Sequence, residues 1–198
     1  HMLPQQQLRS VTTNMDDYRV IPYAPENPDK SEWAFGRVAV FIHAFYVEMM
    51  PEFWALITRL PGDYDLFITT SAKKHKAAIE AFLVDKGFEK ARTDVRVVEQ
   101  NRGRDMSSLF ITFRDVILDG QYEVALRLHS KRTPQVTRRV GESFKAHLFD
   151  NLVHSDGYIR NILDQLEANP DVGLIIPPAI PEIVGQELAN DLNDKRDE

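Results

Sequence analysis

Val38-Ala39-Val40-Phe41-Ile42 is an unbroken apolar run, β-branched and aromatic, closed by His43. A strand with one wet face alternates polar and apolar residues. A run with no polar member has to be covered on both sides, as in a parallel sheet flanked by helices. Downstream, Pro51 suits the first position of a helix, where its missing N–H costs nothing. Phe53, Leu56, Ile57 and Leu60 follow at i, i+3, i+4 and i+7, and Pro61-Gly62 ends that helix. The alternation then repeats. Leu66 to Thr70 reads as a second strand, and Lys73 to Lys86 as a second helix with Ile79, Phe82 and Leu83 on one face and Gly87 as its cap. Val95 to Val98 is a third strand. Leu109, Phe110, Phe113, Val116 and Ile117 mark one third helix, closed by Gly120, with the phenylalanines in the core. Val124 to Leu128 is a fourth strand. Two helical patterns follow, carried by Phe144, Leu148 and Leu152 and by Ile159, Ile162, Leu163 and Leu166; Val172 to Ile176 then reads as a fifth strand. Strict alternation with short connections predicts right-handed βαβ units. The fold class is α/β, a mainly parallel Rossmann-like sheet with helices on both faces.

The bulk numbers fit one domain of ordinary globular character: 198 residues, 43% hydrophobic and 27% charged. Residues 1–36, with Pro22, Pro25 and Pro28 and no clear period, read as an irregular arm. Residues 37–178 form the α/β domain, and 179–198 a helical tail and truncation point; His1-Met2 reads as a cloning remnant. A net charge of -6 argues against a general nucleic-acid binder. The absence of cysteine excludes disulfides and thiolate metal sites and fits a reducing compartment. No apolar run approaches the roughly 18–20 residues that span a bilayer, so no transmembrane segment is expected.

In open α/β sheets ligands bind beyond the carboxyl ends of the strands. Reading those ends off gives His43, then Thr69-Thr70-Ser71, then Asn101-Arg102-Gly103-Arg104-Asp105, then His129-Ser130-Lys131-Arg132, and last Pro177-Pro178. Arg102, Arg104, Lys131 and Arg132 concentrate positive charge in an otherwise acidic chain, which suits a phosphorylated ligand. Asp105 suits a sugar hydroxyl or one of the arginines. Each residue also has a plainer use. Arg102 and Arg104 fit surface pairs with Asp105 and Glu99, Asn101 and Gly103 fit a turn with positive φ, and His43 fits a satisfied core histidine. Enzymes that hold Mg²⁺ or Mn²⁺ at such an edge use closely spaced carboxylates. The acid pair Asp63 and Asp65 precedes its strand and belongs to the opposite edge. His75, His147 and His154 lack metal-ligand spacing. No phosphate-loop signature or complete GxGxxG motif is present.

Val38 to Tyr46, Asp65 to Thr70, Val95 to Asp105 (VRVVEQNRGRD) and Leu126 to Lys131, in this order and spacing, resemble the rhamnan synthesis protein F family. Phe149 to Leu152 and Asn169 to Leu174 match as well, so the resemblance spans roughly residues 37–178. It implies a glycosyltransferase-like domain, with the nucleotide-binding half of the A-type fold, in bacterial cell-surface polysaccharide or O-antigen synthesis. The donor it implies is a nucleotide-activated sugar such as dTDP-rhamnose, and the acceptor a glycan or lipid-linked glycan. Association with other polysaccharide-assembly proteins and a cytoplasmic place at the inner face of the membrane go with that role. Under the resemblance His43 and Thr70 border the nucleoside, and Asn101, Gly103, Arg104 and Asp105 hold the donor sugar or ribose. Lys131, with Arg102 and Arg132, neutralises the departing diphosphate in place of a metal. His129 orients the donor or moves a proton. Ser130 stands where the family usually has threonine, in the place where related enzymes carry an acidic metal motif. The missing acids favour a metal-independent site over Mg²⁺ or Mn²⁺. The alternative is a non-catalytic carbohydrate- or nucleotide-binding module of a larger assembly protein; a small phosphotransferase is disfavoured.

Overall fold

A computed structural model describes residues 19–98, 104–130 and 138–178, with the backbone alone at 104, 105 and 138–140. Its elements are β1 (Val38–His43), α1 (Met50–Ile57), β2 (Tyr64–Thr70), α2 (Lys73–Asp85), β3 (Thr93–Val97), α3 (Arg104–Phe110), α4 (Arg114–Leu118), β4 (Val124–His129), α5 (Arg138–Asp150) and α6 (Asp156–Ala168). The strands form a four-stranded sheet in the order β3-β2-β1-β4, and every pairing is parallel. The α/β Rossmann-like class read from the sequence is the observed one.

Alternation along the strands sorts the core onto two faces. Val40, Ile42, Leu66, Ile68 and Val95 pack with Phe53 and Ile57 of α1, Ile79 and Leu83 of α2, and Ile159 and Leu163 of α6. Ala39, Phe41 and Phe67 face the other way and pack on Phe113 between α3 and α4. Because β1 lies between β2 and β4 and is covered on both faces, all six of its residues are buried, which is why its sequence carries no polar member before His43.

Two expectations are corrected. The single helix expected around residues 109–117 is two, α3 and α4. Arg96 of β3 donates to the Thr112 carbonyl at 2.7 Å and lies 4.7 Å from the centre of the Phe113 ring, so the chain turns there instead of continuing the helix. Phe113 is thereby driven into the core, while Phe110, expected beside it, is half exposed. The second correction is the fifth strand: Val172–Ile176 makes no ladder. Pro170 and Pro177-Pro178 bracket the segment, and it stands across a cavity of about 770 Å³ from β4. Ladder pairing needs strands about 4.8 Å apart. Leu174 and Ile176 are accordingly well exposed.

Residues 19–36 are irregular, yet they are fastened to α6. Buried Asn161 donates to the carbonyls of Pro22 and Ala24 at 2.9 and 2.8 Å and accepts from the Glu26 N–H at 2.9 Å. The Trp33 indole donates to Asp164 at 2.8 Å, and Lys30 pairs with both Asp164 and Glu167. Bonds to Glu167 and Asp164 raise the Lys30 ammonium above its ordinary value, and the same lysine holds Glu167 below its own.

Candidate functional site

The strand order fixes where a site can form. From β1 the chain steps outward to β2 and β3, then returns to the opposite side of β1 to lay down β4. That reversal between β1 and β4 is the topological switch point, the place where open α/β sheets bind ligands. The register puts His43, the last residue of β1, directly between Thr69 of β2 and His129 of β4. By strand alternation these three belong to the sheet face of Phe41 and Phe67. The same face carries Arg127, whose guanidinium meets the Met106 sulfur of α3 at 3.4 Å.

His43 is 8% exposed, and its Nδ1 lies 2.9 Å from the Thr69 hydroxyl. Thr70 points to the other face, is fully buried, and donates its hydroxyl to the Ala44 carbonyl at 3.0 Å. Ser130 is buried at the end of β4. Its backbone N–H donates to the His43 carbonyl at 2.9 Å, and its hydroxyl donates to that carbonyl and accepts from the Tyr46 N–H, both at 3.2 Å. Thr70 and Ser130 thus spend their hydroxyls on backbone groups that hold the strand ends together.

The structure therefore gathers His43, His129 and Ser130 at the switch point, with α3 lying against β1 and opening at Arg104 and Asp105. Asn101, Arg102, Gly103, Lys131 and Arg132 lie outside the described residues. Thr69 is the residue that sequence reasoning passed over in favour of Thr70. Strand alternation puts the two threonines on opposite faces, and the β1–β2 register decides that Thr69 is the one that shares a face with His43. Lys73, Lys74 and Lys76 open α2 just beyond Ser71 and add positive charge to the same sheet edge, a run the sequence reading left aside.

The acids lie at the opposite edge, as expected. Asp65 accepts from Arg92 Nε at 3.1 Å and from the Tyr122 hydroxyl at 2.9 Å, with Arg37 at 3.6 Å. Burial, followed by that bond to Asp65, pushes the Tyr122 phenol up to about 12. This fully engaged carboxylate knits β2 to the loops beside it. At the switch point the described side chains are imidazoles and hydroxyls, without the carboxylates by which proteins usually hold Mg²⁺. Among the described residues no three His, Asp or Glu side chains gather as metal ligands. The cavity beside β4 is mainly apolar and shares His129 with the crevice. Among the described residues no helix is long and apolar enough to cross a membrane.

Comparison with known proteins gives one result that covers nearly the whole chain. Neither curated proteins nor solved structures provide a match. A family model does, described as rhamnan synthesis protein F, over residues 8–196. By that match the chain belongs to the rhamnan synthesis protein F family, which implies involvement in rhamnan or other polysaccharide synthesis.

Proposed function

We propose that this domain binds a nucleotide-activated sugar, of which dTDP-rhamnose is the leading candidate, and acts as a glycosyltransferase in cell-surface polysaccharide synthesis. The observation that carries the reading is the pairing of His43 with His129 at the switch point of a protein in a polysaccharide-synthesis family. The cation-rich sequences Asn101 to Asp105 and Lys131-Arg132 come after β3 and β4 in the chain, and in this reading they bring charge to the same sheet edge. In this reading Lys131, with Arg102 and Arg132, meets the diphosphate, whose charge grows as the sugar leaves. Asn101, Gly103, Arg104 and Asp105 hold the sugar or ribose. His43 borders the nucleoside, and His129 orients the donor or moves a proton. Thr70 and Ser130 support this site by holding the strand ends. The acceptor is a glycan or lipid-linked glycan, met at the inner face of the membrane beside other assembly proteins.

Titration with dTDP, UDP and their sugars, with and without Mn²⁺, tests the reading. We expect binding that does not need the metal and that weakens about 10- to 100-fold in Lys131→Ala, the size of one lost charge-assisted contact. A folded protein that binds none of these nucleotides would refute it. Product formation with an acceptor then separates the enzyme from a binding module with the same crevice.

A further inference from the structure

The cavity of about 770 Å³ beside β4 is too large to be a packing defect, since protein interiors seldom leave voids bigger than a water molecule. All six residues from Val124 to His129 stand on its wall, so it follows the whole strand, about 17 Å at the usual rise of about 3.3 Å per residue. Val124 and Leu126 of β4, Phe144 and Leu148 of α5 and Leu166 of α6 line it, and all five are only half-buried. Of the charged residues on the wall, Lys145 is taken up by Glu52 at 2.7 Å and Glu167 by Lys30. Walls of this kind give water too few partners to hold it. The volume falls within the range of ligand pockets, about 300–1,000 Å³, which are themselves mostly apolar. Length and chemistry together suit a hydrocarbon chain rather than a compact polar solute.

The two ends of the cavity differ. One carries His129, which the register sets beside His43 at the switch point; the other carries Val38 and Val124, where β1 and β4 begin at the opposite sheet edge. We propose that the cavity holds the hydrocarbon chain of a lipid-linked acceptor, lying along β4 with its polar head at His129. Such a chain gains binding energy from every methylene it buries, while its head reaches the crevice assigned to the donor. The identity of the ligand as an acceptor rests on the nucleotide-sugar reading above; the binding of a hydrocarbon chain beside β4 does not.

The test is calorimetric titration with octyl, decyl and dodecyl phosphate and with farnesyl phosphate, each below its micelle concentration. Affinity should rise about threefold to fourfold with each added methylene of the straight chains. Leu126→Trp, which fills the cavity from the strand, should weaken dodecyl phosphate at least about 10-fold, the loss of two methylene contacts or more. Leu148→Trp fills it from α5 and serves if the strand variant fails to fold. The His129 signal in a histidine NMR spectrum, assigned with His129→Gln, should move on binding. No saturable binding, an affinity indifferent to chain length, or full affinity in a folded, filled variant overturns the site. An unmoved His129 signal in the bound protein overturns the orientation. Failure of the nucleotide reading looks different: the alkyl phosphates bind with the expected length dependence and no dTDP-sugar does, which leaves the apolar site standing without its acceptor role.

Discussion

Ser130 closes the β1–β4 seam with three bonds, one through its backbone N–H and two through its hydroxyl. Removing the hydroxyl takes an acceptor from the half-buried Tyr46 N–H, and the loss of one such hydrogen bond costs about 0.5–1.5 kcal/mol. We expect Ser130→Ala to lower stability by that amount in urea denaturation, with Ser130→Thr close to wild type because it keeps the oxygen. At this scale the sequence was legible in residue type and not in aim. Thr69 and Thr70 are neighbours of the same kind at the same strand end. Only pairing partners reveal that one meets His43 and the other a backbone carbonyl. Ser130 reads as a ligand-binding hydroxyl next to a lysine until its two partners are known.

The α3–α4 break is an electrostatic joint. Arg96 makes a two-pronged pair with Asp115, at 2.6 and 2.8 Å, and also meets Asp94 at 2.7 Å, tying α4 to β3. The bond to Arg96 holds the Asp115 carboxyl down at about 2, against an ordinary value of 3.8. A carboxyl whose folded value lies below its unfolded one adds stability above the unfolded value and loses it as pH falls through the folded one. The stability difference between wild type and Asp115→Asn should therefore be constant above about pH 5 and shrink between pH 4 and 2, read as urea midpoints against pH. Strong salt should reduce it, since the pair is exposed. The two missed element boundaries share one cause. Helical periodicity at 109–117 and β-rich composition at 172–176 are local signals. A long-range cation on Thr112 and a stand-off from β4 overrule them, and neither is written in the local sequence.

Across the whole molecule, the irregular arm and α6 behave as one unit. Gly157 marks the contact: a Cβ there would come within 2.7 Å of both the Tyr23 carbonyl and a Pro25 ring carbon. Alanine in a helix ordinarily gains up to about 1 kcal/mol over glycine. Here the clash is with backbone and a rigid ring, and overpacking of that kind costs about 1–3 kcal/mol. We expect Gly157→Ala to be net destabilising and to speed limited proteolysis within residues 19–36; a more stable variant with an unchanged cleavage pattern would contradict that fastening. The sequence announced this contact only as prolines without a period, because the arm meets α6 through backbone groups at Pro22, Ala24 and Glu26 and through the single side chains of Lys30 and Trp33, which form no periodic pattern. The segment Val172–Ile176 carries a last consequence. β4 presents an unpaired edge among the described residues, a template on which a strand from another molecule could extend the sheet. With Val172–Ile176 standing outside it and two prolines following, an intruding strand has first to push aside a stretch of the protein's own chain. What fails to complete the sheet serves as the guard of its open border.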